Sequence, residues 1–119
     1  MDTILEWVDS LKREKSKIIV EGLKDKKALK SFGVKNLVVL KGPLYKFVED
    51  LSTEKEVIIL TDTDSEGNKI YGKLRTFFEM FGVRVNDSYR NFIIKNTNLR
   101  NIEGICKQVN SYYLKKKNL

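Results

Sequence analysis

The chain has 119 residues, 41% of them hydrophobic and 33% charged, with a formal net charge of +7, and this length favours a single domain over 1–119 with one core. One cysteine and no histidine exclude an internal disulfide, a zinc ribbon or finger, and histidine acid–base catalysis. No apolar run approaches the roughly 20 residues of a membrane span, and Asp2 and Glu6 stand where a secretory signal is basic, so no membrane contact and a cytoplasmic location are expected.

Ile4, Val8 and Leu11, flanked by Leu5 and Trp7, fall at helical spacing and predict an amphipathic helix over 2–15. A short β-branched strand follows at 17–21 and breaks at Gly22. Residues 25–31 predict a short helix with Ala28, Leu29 and Phe32 inward and Gly33 as its stop. Residues 37–40 read as a second strand, and Lys41-Gly42-Pro43 as a turn. Pro43 suits the start of a helix over 44–51 that faces inward with Leu44, Phe47, Val48 and Leu51. After the polar connection 52–55 comes a third strand, 56–61, and then the loop 62–67.

The strongest helical pattern in the chain comes next, with Ile70, Leu74, Phe77, Phe78 and Phe81 on one face and Gly82 as its end. Residues 83–85 read as a short fourth strand. Residues 86–96 fit either a helix capped near Asn86-Asp87-Ser88 or a strand through Phe92-Ile93-Ile94, and 99–102 reads as a fifth strand. A last helix is expected over 103–114, with Cys106 on its apolar side as a packing residue. Strands alternating with helices, the first three with little internal polarity, predict an α/β three-layer sandwich around a mainly parallel sheet.

Two of these strands end abruptly in carboxylates. The first closes as Ile18-Ile19-Val20-Glu21-Gly22, the other as Ile58-Ile59-Leu60-Thr61-Asp62-Thr63-Asp64-Ser65-Glu66-Gly67. If both strands are central and parallel, Glu21, Asp62 and Asp64 meet at the carboxyl edge, where open α/β folds bind ligands. Converging carboxylates repel one another and call for a cation, a proton or a basic neighbour. Hard oxygen ligands select Mg2+ or Mn2+, so one or two such ions are expected there. Asp62, Asp64, Glu66 and Gly67 also match the opening of an EF-hand loop, but Lys73 stands where its closing glutamate belongs and a strand precedes the loop. An acid capping the following helix accounts for one carboxylate and leaves the others unexplained.

Glu21-Gly22 with Asp25 three residues on, followed by a later apolar strand ending Asp62-x-Asp64-x-x-Gly67, resembles the Toprim domain shared by topoisomerases, bacterial-type primases and several nucleases. The resemblance covers about residues 17–100. The Glu-Gly pair, the Asp loop and Ile102-Glu103-Gly104 look most like the small stand-alone Toprim proteins typical of archaea, related to ribosomal-RNA maturase nucleases. Thr63 and Ser65 depart from the proline and arginine usual in topoisomerase loops. The resemblance implies a Rossmann-like fold and Mg2+ binding. It makes Glu21 an acid/base or metal ligand, has Asp62 and Asp64 hold the metal, and matches Glu66 to an acid of topoisomerase-like loops. Gly22, Asp25, Glu66 and Gly67 are further site candidates. Glu103 is read as a helix start before a site acid.

Metal-dependent phosphoryl transfer on nucleic acid follows as the expected function, in the form of a small nuclease acting on RNA or DNA, with Glu21 carrying protons. The alternatives are a metal-dependent binding module without turnover, a subunit of a larger primase, repair or RNA-processing assembly, and a phospho-acceptor domain using Asp62. The surplus of basic residues fits a nucleic-acid partner and fits simple solubility equally well. Lys24, Lys26 and Lys27 divide in the same way between phosphate contact and solvent.

Overall fold

The structure is a computed structural model that describes residues 1–117, with side chains through Lys115; the end of the basic tail lies outside the described residues. Ten elements follow one another: α1 (Ile4–Lys12), β1 (Lys17–Val20), α2 (Leu23–Lys30), β2 (Leu37–Val39), α3 (Leu44–Asp50), β3 (Glu56–Leu60), α4 (Ser65–Met80), β4 (Arg84–Asn86), α5 (Ser88–Asn96) and α6 (Ile102–Lys117). The four strands form one sheet in the order β2-β1-β3-β4. Every pairing is parallel, with Val20 beside both Val39 and Leu60.

Side chains alternate across a strand with period two, and that alternation builds both faces of the sheet. Ile18, Val20, Ile58 and Leu60 face a core closed by Trp7, Leu11, Leu29, Ile93, Ile105 and Val109. Ile19, Val57 and Ile59 face the other way, against Val48, Leu74, Phe78 and Val83. Helices α1, α2, α5 and α6 cover the first face and α3 and α4 the second, which is the three-layer α/β arrangement expected from the alternation of elements.

Local chemistry sets the boundaries. Thr3 Oγ1 accepts the Glu6 N–H at 3.1 Å and Glu6 reaches back to Thr3, so α1 starts at Ile4 and not at Asp2. It ends at Lys12, short of the expected 15, with Arg13 as its C-cap. Trp7, fully buried, donates its indole N–H to the Tyr89 carbonyl at 3.0 Å and pins α1 to α5. Residues 88–96 form a helix, which resolves the ambiguity of that segment.

No fifth strand forms at 99–102. Asn101 Oδ1 accepts the Gly104 N–H at 2.7 Å and caps α6. The buried Ile102 is therefore the first residue of a helix that runs to Lys117, past the expected 114. Among the described residues no helix is long and apolar enough to cross a membrane.

Candidate functional site

The chain leaves β1 toward β2 on one side and leaves β3 toward β4 on the other, so the crevice between the carboxyl ends of β1 and β3 is the topological switch point of the sheet. Val20 and Leu60 are paired neighbours, so the acids after them emerge side by side. Glu21 Oε1 accepts the backbone N–H of Asp62 at 2.9 Å. The two acidic motifs, 41 residues apart in sequence, are thus joined by a hydrogen bond.

Each remaining acid has a defined place. Asp64 is the N-cap of α4, where its Oδ1 accepts the Gly67 N–H at 2.7 Å. Asp25 Oδ2 accepts the Gly22 N–H at 3.2 Å from the first turn of α2. Glu66 is exposed in the first turn of α4 and is not drawn into this group. Glu103 opens α6, as expected, and lies 3.9 Å from Lys107. Among the described residues no three acidic, histidine or cysteine side chains close into an ion-holding cluster. Glu21 and Asp64 are each turned onto a backbone amide instead.

Asp62 differs from the others. Its Oδ1 is buried and accepts no well-formed hydrogen bond, although the Ile102 amide lies close enough to the carboxylate to lower its pKa. Buried polar atoms are nearly always paired, and an orphan carboxylate oxygen requires an explanation. A hard divalent cation supplies one, because Asp62 with Glu21 and Asp64 offers only carboxylate oxygens. The donor set and the orphan oxygen therefore fit Mg2+.

The electrostatics agree. Burial chiefly raises the Glu21 pKa, the Asp62 N–H lowers it, and Asp62, Asp64 and Asp25 push it up further. Asp62 is raised by burial first, then by Asp25 and Asp64, while the Ile102 amide and Arg90 pull it down. Asp25 is raised by burial and by Glu103 against the Gly22 amide.

A carboxyl whose pKa rises on folding lends stability while protonated and withdraws it as the pH climbs through the raised value. Asp62→Asn is therefore expected to melt above the parent at neutral pH in chelator. That advantage shrinks as the pH falls through the raised value and is gone below the ordinary aspartate value of 3.8. Paired thermal melts across this range test the point; a difference independent of pH contradicts it.

Three contributors were not singled out by sequence reasoning. Arg90 is 3% exposed. It donates from Nη2 to the Asp62 carbonyl at 2.8 Å and to Asn68 Oδ1 at 2.6 Å, from Nε to the Thr61 carbonyl at 3.3 Å, and lies 4.3 Å over the Tyr71 ring. Thr61, buried, donates Oγ1 to the Gly67 carbonyl at 3.0 Å and ties strand end to helix start. The segment 97–101 takes the Thr63 N–H on the Arg100 carbonyl at 2.8 Å. Only Arg90 left a signal, a lone charge inside the apolar run Tyr89–Ile93. Cys106 is buried, and burial pushes its thiol up to about 12, so it packs and does not react.

An all-parallel sheet with helices on both faces and carboxylates at its switch point defines an α/β domain of the kind that works on ligands at the strand ends. The chain belongs to the Toprim domain family, whose family model matches residues 16–98. It is 34% identical to a UPF0292 protein of Methanocaldococcus jannaschii, over 92% of this chain and 91% of that one. It is 31% identical to a UPF0292 protein of Thermococcus gammatolerans, over 93% and 84%. A solved structure from Aquifex aeolicus superimposes with a TM-score of 0.80 at 35% identity, covering 87% of this chain and 99% of that one. The chain is thus similar to small archaeal proteins, as its motifs led one to expect. Toprim domains generally bind Mg2+, and membership links this chain to metal-dependent function related to nucleic acid.

Proposed function

We propose that this chain is a metal-dependent phosphoryl-transfer enzyme on nucleic acid, a small Toprim nuclease that cuts RNA or DNA. The observation that carries the reading is the buried, unpaired Asp62 Oδ1 beside Glu21 at the switch point of the sheet. Glu21, Asp62 and Asp64 are the residues that would hold one or two Mg2+ or Mn2+ ions. When bound, the ion supplies Lewis-acid neutralisation of the charge that builds on a phosphate during transfer.

Glu21 carries the proton. Burial and neighbouring acids raise its pKa, so it takes up and releases a proton nearer neutrality than an ordinary glutamate. The Asp62 amide on Oε1 orients the carboxyl while it does so. Gly22 is the N-cap of α2 directly after Glu21, and Asp25 accepts its N–H. Gly67 brings the start of α4 onto the Asp62 carbonyl and sets the spacing of Asp62 and Asp64. Glu66 stands at the rim, exposed. The whole chain, 1–119, works as one domain in this reading, without a membrane and in the cytoplasm.

Calorimetric titration of the metal-free protein with Mg2+ and Mn2+, together with end-labelled RNA and DNA run on gels, tests the proposal. Metal binding and cleavage products are expected from the parent. Asp62→Asn combined with Asp64→Asn is expected to lose metal binding and to lower turnover about a hundredfold or more. A double variant that binds metal like the parent refutes the assigned ligands. Metal binding with intact nucleic acid moves the protein to a binding module or to a subunit of a larger assembly.

A further inference from the structure

Beside the acidic loop lies a polar groove whose floor is the connection between α5 and α6. A cleft of about 250 Å³ opens between Thr63, Thr97, Asn98 and Arg100. Across the same connection a second hollow of about 500 Å³ runs past Lys95 and Asn96 to Gln108. The two share Ile94, Thr97, Asn98 and Leu99 as common walls.

The connection is fixed in place. Thr63 donates its N–H to the Arg100 carbonyl at 2.8 Å and its Oγ1 to the Leu99 carbonyl at 3.3 Å. Thr97 Oγ1 accepts the Leu99 N–H at 3.2 Å and donates to the Ile93 carbonyl at 2.9 Å. One residue of the acidic loop, Thr63, therefore clamps the groove to its neighbour Asp62.

The chemistry of the lining identifies the occupant. Arg100 is exposed and takes part in no ion pair among the described residues. Lys95 stands at the far end of the same connection, also exposed. Between the two cations are side-chain amides, which both donate and accept, and Ile94, half exposed and apolar. Cations for a repeating phosphate, amides for base edges and an apolar surface for a base face match a single nucleic-acid strand. The acids at the switch point repel any polyanion, and in the reading above the bound metal neutralises them. Arg100, which lines the same cleft as Thr63 of the acidic loop, adds a cation beside that centre.

We propose that the segment 94–100, the end of α5 and its connection to α6, forms the strand-binding groove of this protein, in which Arg100 grips the backbone phosphate flanking the reacting one and Asn98 faces the adjoining base. The proposal rests on the phosphoryl-transfer reading above and names how its substrate is held. Arg100 acts in binding and positioning; among the described residues its side chain makes no hydrogen bond or ion pair, and its carbonyl holds Thr63.

Arg100→Ala is compared with Arg84→Ala, which removes the same charge from an exposed arginine at the start of β4, on the amino edge of the sheet. Short fluorescent single-stranded RNA and DNA are titrated by anisotropy with Ca2+ in place of Mg2+, between about 50 and 200 mM salt. Arg100→Ala is expected to weaken binding about tenfold and to lower the log–log salt slope by about 0.7, the value of one single-strand phosphate contact. Arg84→Ala is expected to change affinity less than about twofold, and both variants to keep the Mg2+ affinity and melting temperature of the parent. Equal weakening by the two variants overturns the groove. If the parent cleaves while the variants behave alike, the groove alone falls. If the parent binds no strand and cuts none, the phosphoryl-transfer reading falls and the groove with it.

Discussion

Gly67→Ala is expected to destabilise the protein by about 3 kcal/mol or more. A Cβ at this position would overlap the Asp62 carbonyl oxygen outright and lie 2.6 Å from the carbonyl carbon. Both partners are backbone, so neither can swing aside as a side chain would. The carbonyl is also held by Arg90 Nη2, and Gly67 itself by Asp64 Oδ1 on its N–H and Thr61 on its carbonyl. Relief therefore requires the start of α4 to lift off β3, which separates Asp62 from Asp64. The expected result in urea unfolding is a large fall in midpoint, with loss of Mg2+ binding in whatever remains folded. Gly72→Ala is the internal control. It lies in the same helix with nothing within 4 Å of the added carbon. Replacing a helical glycine with alanine in open space stabilises by about 0.5–1 kcal/mol. The same chemical change, five residues apart, is expected to have opposite signs. If both variants unfold together, close approach at Gly67 is not what holds this loop.

That contrast also explains what the sequence disclosed. The two acidic motifs were legible because each interrupts a β-branched run at a single residue, and a parallel sheet brings such interruptions to one edge. The layers were legible for the same reason: three apolar strands separated by helical patterns leave little choice of architecture. Gly67 was visible as a residue of the motif, but its role as a contact on Asp62, and not as a turn, depends on how α4 packs. The fifth strand expected at 99–102 failed because a short apolar stretch cannot reveal that Asn101 caps a helix. The groove along 94–100 was illegible as a site. Its polar residues are ordinary loop residues until Thr63 binds them, and that contact spans more than thirty positions. Helix ends moved by one to three residues where caps decided them, as at Thr3 and Arg13.

Glu21 and Asp62 show how the fold accommodates a site that costs it stability. Both are half-buried with raised pKa values, and Asp62 has an unpaired oxygen, so in the absence of metal the carboxyl edge is strained electrostatically. Binding of Mg2+ to the folded form alone would recover that cost by mass action. Arg90 is a buried cation built into the edge. Its charge lowers the Asp62 pKa; burial lowers its own, opposed by Tyr71 and then by the fields of Glu21, Asp62 and Asp64.

Arg90→Met is accordingly expected to cost about 3 kcal/mol or more, because it leaves the buried Thr61 carbonyl and the part-buried Asp62 carbonyl without their donor and releases Asn68 Oδ1. Methionine retains much of the packing volume, so the loss reads the hydrogen bonds and the charge. Arg90→Lys separates those two. A lysine restores a positive charge beneath the acids but lacks the planar fork that serves three acceptors at once, and it stacks less well on Tyr71. If geometry dominates, Lys is nearly as damaging as Met and both lose Mg2+ affinity, because the Asp62 backbone is no longer held. If charge dominates, Lys recovers most of the stability while Met does not. The arrangement favours geometry: Arg90 touches backbone carbonyls and an amide, while the carboxylates reach it only through their fields. Urea unfolding of the three proteins with and without Mg2+ reads both quantities. An Arg90→Met variant within about 0.5 kcal/mol of the parent would mean that this buried guanidinium is dispensable, and that the remaining ties through Glu21, Thr61, Thr63, Asp64 and Gly67 suffice to hold the Asp62 loop.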